Sequence, residues 1–331
     1  MAIEIKEISG RKEIKKFVCF PFPLYKGNPF WVPPLIFDEV NALDPRKNPS
    51  FEFCEAKLWM AYKDGRAVGR IAGIINHRAN QIWNERNARF GWLDFIDDFE
   101  VSSALFAQVE NWAKSMGMKA VQGPLGFSDM DKEGMLIEGF EELGTIATYY
   151  NHPYYPIHTE KAGYQKDVDW LEYELNAEVT VPEKFIRVGQ IAQERYKLSI
   201  VQFKKKKDLL KYAHQIFEVL NESFRPLYGF APLTDAQIDY YIKMYFSFIV
   251  LDFISVVVDE HDKVAAFGIT MPSLSKAVQK SGGKILPFGF IHILRAMKKN
   301  DTVDFYLTAV RPELQGKGVN ALLFIDLIPK Y

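Results

Sequence analysis

Two stretches of alternating apolar residues, each folded about a charged turn, restrict this chain more than any other feature. The first, AKLWMAYKDGRAVGRIAGIIN, pivots on Asp64-Gly65, the dipeptide that favours the tight connection between antiparallel strands. The second, FISVVVDEHDKVAAFGITMP, repeats the strand, charged turn and strand about 195 residues later. A further strand and a helix follow each hairpin. After the first come RFGWLDFID and a helix over Ala104 to Met116 that stops at Gly117. After the second come a loop, a basic helix, the strand VDFYLTAV and a helix start in PELQGKGVNALLF. Two copies mean a duplicated domain and not a solenoid. The 331 residues agree, at roughly 150 residues per domain. The expected fold is α/β, with mixed (α+β) sheets in two tandem lobes over residues 1–177 and 178–331. The short stretch around Ala177 to Pro182 would link them.

The rest of the chain fits between these landmarks. Ile3, Ile5 and Ile8 fall near the strand period, and Arg11 to Phe17 reads as a helix. The segment FPFPLYKGNPFWVPPL carries too much proline for regular structure. VQGPLGFS reads as a strand running into a loop, and TEKAGYQKDVDWLEYEL as a helix end, a turn and a closing strand. In the second half, Pro182 to Tyr196 and Lys207 to Phe224 are helical, with the strand LSIVQF between them.

Composition narrows the function. Lys and Arg number 41 against 42 Asp and Glu, a net charge of −1, which argues against a nucleic-acid binder because a basic surface supplies most of that affinity. Two cysteines make neither a disulfide framework nor a four-cysteine zinc site, and six histidines without a close pair on a helix face give no metal site. The reducing cytoplasm is the default compartment. The start, MAIEIKEISGRKEIKKF, lacks the apolar stretch of a signal peptide. The longest apolar run, Phe248 to Val258, is broken by Asp252 and is too short to span a bilayer. Aromatic residues reach 15%, concentrated in part in the loops FPFPLYKGNPFW, YYNHPYY and PLYGF, and this surplus suggests a greasy substrate.

Chemistry concentrates in Val303 to Phe324. A strand runs through Arg311-Pro312-Glu313 into Gln315-Gly316-Lys317-Gly318-Val319-Asn320 and an apolar helix. Helix N-termini present unpaired backbone N–H groups, and glycines let them approach a phosphate closely. Lys317 adds a cation. A permissive tight turn would explain the same spacing. The loop is not a Walker loop, for it lacks the Gly-Lys-Ser/Thr ending, and it lacks the third glycine of the dinucleotide fingerprint.

Val310-x-Pro312-x-x-Gln315-Gly316-Lys317-Gly318 resembles the acyl-CoA pyrophosphate loop of the GNAT superfamily of N-acyltransferases, whose pattern is Gln/Arg-x-x-Gly-x-Gly/Ala after a strand. Asn320 stands where that family has a small residue. GPLGFS, YYNHPYYPIHTEKAGYQKDVDW, GFAPLT, FGITMPSLSKAV and KILPFGFIHILRAMKK resemble, across nearly the whole chain, a bacterial family of tandem GNAT-fold proteins with members assigned to N-acylation of sphingoid bases. The resemblance implies acyl-CoA as co-substrate and no metal. Acyl-CoA would be bound by Gln315, Gly316, Lys317, Gly318, Val319 and Asn320, with pantetheine pairing as an added strand along Leu307, Ala309 and Val310. It also implies direct acyl transfer to a primary amine, small or lipid-like.

Two departures follow. In the first lobe the equivalent loop reads IDDFEVSSALF, whose Asp97, Asp98 and Glu100 suit a helix dipole but repel a pyrophosphate. That lobe is expected to have lost coenzyme A binding, although an ordinary helix cap explains the acids equally. The second lobe ends at IPKY, short of the elements that usually supply a thiolate-protonating tyrosine, and reads as incomplete.

Acyl transfer needs a proton acceptor for the amine and a donor for the developing oxyanion. Asp304, flanked by Val303 and Phe305, is the candidate base, with a solvent-facing strand residue as the alternative. Tyr306 and Tyr228 are candidate hydroxyls, or wall residues. Glu222 and Arg225 carry weaker readings, substrate contacts or surface salt links, and His292 in the basic helix reads as a partly buried imidazole. No Ser or Cys sits in a nucleophile elbow, which favours direct attack. The segment KILPFGFIHILRAMKKN is either a helix packed on its own sheet with solvated lysines or a peripheral membrane contact. The run Lys204 to Lys207 reads as a solvated helix start, with a coenzyme A phosphate contact as the other reading. Two rivals stand beside the acyltransferase: a ligand- or partner-binding protein without catalysis, and an aminoacyl-tRNA-dependent transferase, which the neutral charge disfavours. The sequence leaves acyl chain length, amine and oligomeric state open.

Overall fold

The structure, a computed structural model, describes residues 3–176 and 180–331. Ala177 to Val179 of the expected linker lie outside the described residues. The chain forms two compact units, Met1–Leu171 with Leu274–Leu294, and Glu172–Ser273 with Arg295–Tyr331.

In the first unit, β1 (Glu4–Ile8), α1 (Arg11–Cys19), α2 (Pro21–Leu24) and α3 (Ile36–Ala42) precede the hairpin of β2 (Cys54–Lys63) and β3 (Arg66–Asn76). Asp64 and Gly65 turn it with φ of 53° and 75°. Then come α4 (His77–Trp83), β4 (Asn87–Phe95), α5 (Phe99–Ser115), β5 (Ala120–Gln122) and α6 (Tyr154–Lys161). The sheet runs β1-β2-β3-β4-β5, antiparallel except for β4–β5. Its faces are both apolar and both covered. On one, Ile71, Phe90, Phe95, Leu105, Phe106 and Trp112 pack beneath α5. On the other, Ile14, Phe17, Val40, Leu43 and Ile74 pack beneath α1 and α3.

In the second unit, α7 (Glu183–Tyr196), β6 (Ser199–Ile200), α8 (Lys206–Phe224) and α9 (Asp235–Tyr245) lead to the hairpin of β7 (Ile254–Val258) and β8 (Val264–Pro272). Then α10 (Ser275–Ser281) and α11 (Gly289–Lys298) intervene before β9 (Val303–Val310) and α12 (Asn320–Leu327). The sheet order is β6-β7-β8-β9, all antiparallel. Leu314, Val319, Leu322 and Leu323 join Ala192, Val257 and Ala266 in its core, so α12 is fixed at its very first turn.

Helix α10 belongs to the first unit. The Gln279 side-chain amide donates to the carbonyls of Pro29 and Trp31, both at 2.9 Å, and Ile36 N–H donates to Gly283 O at 3.0 Å. That placement cuts across the expected sequence order, because a segment between two strands of one unit is built into the other.

Four expectations need correction. Pro21–Leu24 forms a helical turn despite its prolines, because Pro21 sits at the first helical position, where no N–H is needed. Helix α5 starts at Phe99, earlier than Ala104, because Asp98 caps it. No strand forms in Asp167–Leu175, and LSIVQF supplies only two strand residues. Alternation makes a strand only where a neighbouring edge takes its backbone hydrogen bonds.

Candidate functional site

The site is built where β9 runs into α12. A bulge opens between Ile269 and Thr270, so that Leu307 faces Ile269, Phe305 faces Thr270, and Tyr306 is the extra residue. Among the described residues no strand pairs with the outer edge of β9. At its end the backbone is clamped. Arg311 N–H donates to Ala265 O at 2.9 Å, and the Arg311 guanidinium holds Asp259 at 2.7 Å. Burial works against the Asp259 carboxylate, but Arg311 and two backbone amides keep it below the usual carboxylate range. Ser223 Oγ and Gln315 Nε2 both donate to Val310 O, at 2.7 and 3.1 Å. Gln315 thus fixes the loop to the strand.

The loop then turns through Pro312–Leu314 and through Gly316 and Gly318, with φ of 70° and 79°. Those angles disfavour any side chain, and a Cβ on Gly318 would also come within 2.4 Å of Val188 Cγ1. The amides of Gly316, Gly318, Val319 and Asn320 make no backbone hydrogen bond among the described residues. No side chain caps α12 either. Four amide donors therefore lie at the start of α12, where Gly316, Lys317 and Asn320 are exposed, with the Lys317 ammonium 5.5 Å from the Tyr196 ring. Oriented unpaired amides at the positive end of a helix attract an anion.

Of the candidate proton-transfer groups, the structure brings Asp304 and Tyr306 together. Tyr306 Oη donates to Asp304 Oδ2 at 3.4 Å, and both residues are half-buried. Burial raises the Asp304 carboxyl and raises the Tyr306 hydroxyl, the latter helped by Asp304 and by Tyr245. Tyr228 is 38% exposed on the turn after α8. Sequence reasoning missed the aromatic wall beside β9. Phe305 is 51% exposed, with ring centroids 6.4 Å from Phe324 and 5.9 Å from Tyr331, and Tyr331 shares a 2.8 Å hydrogen bond with Thr270. Only the sheet register places these residues together.

The corresponding end of β4 in the first unit is closed by the chain itself. Its bulge lies opposite Ile71, and Trp92 there has φ of 45°. Trp92 N–H donates to Tyr149 Oη, and Phe95 N–H donates to Tyr155 Oη, both at 3.1 Å. Leu125 N–H donates to Phe90 O at 2.8 Å, and a Cβ on Gly91 would lie 2.5 Å from Leu125 O. At the start of α5, Asp98 accepts from Glu100 N–H at 3.0 Å and pairs with Lys63 at 2.7 Å, while Asp97 meets His158 at 3.0 Å. The acids are cap and ion-pair residues.

The aromatic loops of this unit are core rather than open surface. Tyr25 and Tyr155 are 2% and 1% exposed, and their hydroxyls reach Asp94 Oδ1 at 3.1 and 3.2 Å while Arg70 holds Asp94 Oδ2 at 2.7 Å. Trp31 and His152 stack on Tyr25 at 5.0 and 4.7 Å. Tyrosine buries its ring when its hydroxyl finds a partner, and a buried ion pair supplies one. Sequence reasoning also missed the carboxyls of the loop after β5. Burial pushes Asp129 up to about 6, Asp131 to about 7 and Glu133 to about 8. Among the described residues no group of His, Cys, Asp or Glu could hold a metal, and no helix is long and apolar enough to cross a membrane.

No family model matches the chain. Protein YghO of Escherichia coli (strain K12) is 26% identical over 329 residues, covering 98% of this chain and 83% of its own length. Bacterial ceramide synthase of Caulobacter vibrioides is 29% identical over 293 residues, 86% of this chain and 74% of its own. Among solved structures, a tandem GNAT protein from the clavulanic acid biosynthesis pathway superposes with a TM-score of 0.51 at 14% identity, covering 99% of this chain and 85% of that one. The chain has the fold of a tandem GNAT protein, and its sequence is similar to proteins that include a bacterial ceramide synthase.

Proposed function

We propose that this protein is an acyl-CoA-dependent N-acyltransferase whose second unit binds the acyl-CoA and whose acceptor is a primary amine of long-chain, sphingoid-like type. The observation that carries the reading is the contrast between the two strand ends. The outer edge of β9 and the amides of Gly316, Gly318, Val319 and Asn320 have no backbone partner among the described residues, whereas their counterparts at β4 and α5 are taken by the chain's own hydroxyls and a carboxylate. Pyrophosphate oxygens would accept from the loop amides, Lys317 would add charge, and pantetheine would pair along Leu307 to Val310 as an added strand. A backbone N–H at the β9 bulge would donate to the thioester oxygen as negative charge develops there.

The amine nitrogen would attack the thioester carbon, forming the C–N bond and expelling the thiolate. Asp304, through water, would take the ammonium proton and Tyr306 would relay it, while the thiolate would be protonated from Tyr306 or Tyr228. A long-chain amine is supported by the resemblance to a ceramide synthase and by the exposed Phe305 wall. The test is the melting temperature with coenzyme A, acetyl-CoA and palmitoyl-CoA, followed by amide formation from sphinganine. Ligand at 100 times its Kd stabilises by about 2.7 kcal/mol. Binding of palmitoyl-CoA with N-acyl product supports the reading. No shift with any acyl-CoA overturns it in favour of a binding protein, and acylation of a small primary amine but not of sphinganine overturns the long-chain part.

A further inference from the structure

Between Leu274 and Asn300 the chain carries six basic residues, Lys276, Lys280, Lys284, Arg295, Lys298 and Lys299, and no Asp or Glu. In a protein of net charge −1 this is a strong local excess. The same stretch exposes its largest apolar side chains. Leu286 is 74% exposed, Phe288 71%, Phe290 40%, Ile291 43% and Leu294 52%. Helix α11 packs through Ile293, 3% exposed, and Gly289, while its Phe290, Ile291 and Leu294 are left exposed. Lys284, Arg295, Lys298 and Lys299 are exposed, and none makes an ion pair among the described residues.

We propose that residues 284–299 dock on an anionic lipid bilayer, with Leu286, Phe288 and the outward side chains of α11 entering the interface and the four flanking cations meeting lipid phosphates. Two observations select a bilayer over a protein partner. Exposed Leu and Phe at the tip of a turn, followed by an amphipathic helix, suit a fluid apolar layer that needs no matching shape. Cations that make no ion pair among the described residues, in a stretch from Leu274 to Asn300 that holds no acid, complement a surface of uniform negative charge, each adding to attraction within a Debye length. The proposal is independent of which reaction the protein catalyses.

Co-sedimentation of the full chain with vesicles of phosphatidylcholine alone, and of phosphatidylcholine with phosphatidylglycerol, tests it. Binding is expected on the anionic vesicles and should fall on the order of tenfold when salt is raised to about 1 M, where the Debye length shrinks to about 3 Å. The pair L286S/F288S should lose binding by tenfold or more with an unchanged melting temperature, since both side chains are exposed. The pair R295E/K298E should lose only the anionic preference. Equal binding to both vesicle types, no binding to either, or a concentration-dependent dimer abolished by L286S/F288S would overturn it.

Discussion

The hydroxyl of Tyr149 accepts the amide of Trp92 at 3.1 Å, at the left-handed residue of the β4 bulge. In the second unit the strand in the same place keeps its outer edge unpaired among the described residues. The two units thus differ at this position, one strand edge being met from within the chain and the other left unpaired among the described residues. Tyr149→Phe removes the acceptor and strands a buried N–H, at a cost of about 1–3 kcal/mol. Urea unfolding followed by tryptophan fluorescence should show that loss, with acyl-CoA affinity unchanged because the slot remains blocked at Leu125.

Gly318→Val should abolish the coenzyme A melting shift. The residue has φ of 79°, and its Cβ would lie 2.4 Å from Val188 Cγ1. Strain of about 1–3 kcal/mol is expected in the loop. Lys317→Ala, which leaves the backbone intact, should weaken binding by about tenfold, the value of one charge-assisted contact near 1.4 kcal/mol. Calorimetric titration separates the two outcomes. A wild-type response in both variants would rule out the loop as the anion site.

Arg70 and Asp94 form a buried pair at 2.7 Å inside a shell of Tyr25 and Tyr155. Arg70→Met should cost about 3–5 kcal/mol by leaving the carboxylate unpaired. The double variant Arg70→Met with Asp94→Leu should recover much of that loss. Non-additivity in the double-mutant cycle is the readout.

The carboxyls of Asp129, Asp131 and Glu133 lie at about 6, 7 and 8 in the folded protein, raised by burial. The folded state therefore keeps protons that the unfolded chain releases above its ordinary carboxylate pKa near 4. Their contribution is fully present below that value and is lost as pH rises through 6 to 8. Thermal melts should show declining stability across this window, and Glu133→Gln should flatten its upper part. A melting temperature that climbs over the same range would contradict the assignment.

Asp304 is also raised by burial, so a base at this position protonates at a higher pH than a free carboxyl. If it accepts the amine proton, the acid limb of kcat should lie above the ordinary carboxylate value and vanish in Asp304→Asn, with KM for acyl-CoA unchanged.

Local patterns were enough to show the two hairpins, the helices over Glu183–Tyr196 and Lys206–Phe224, and the Gly316–Gly318 turn. Alternation, 3.6-residue periodicity and glycine spacing act over a few residues, so the chain alone carries them. The helix-cap reading of Asp98 also came from local sequence, since a cap needs only the residues two or three positions on. What it did not show depends on contacts distant along the chain. Tyr25 meets Asp94 and Tyr155 across 69 and 130 positions, which turns loops read as open into core. Helix α10 bonds to Pro29 and Trp31 across 250 and 248 positions, so a segment between two strands of one unit builds the other. Tertiary structure decided these points because burial of a hydroxyl or a backbone edge turns on which partner arrives, and sequence neighbours do not name that partner.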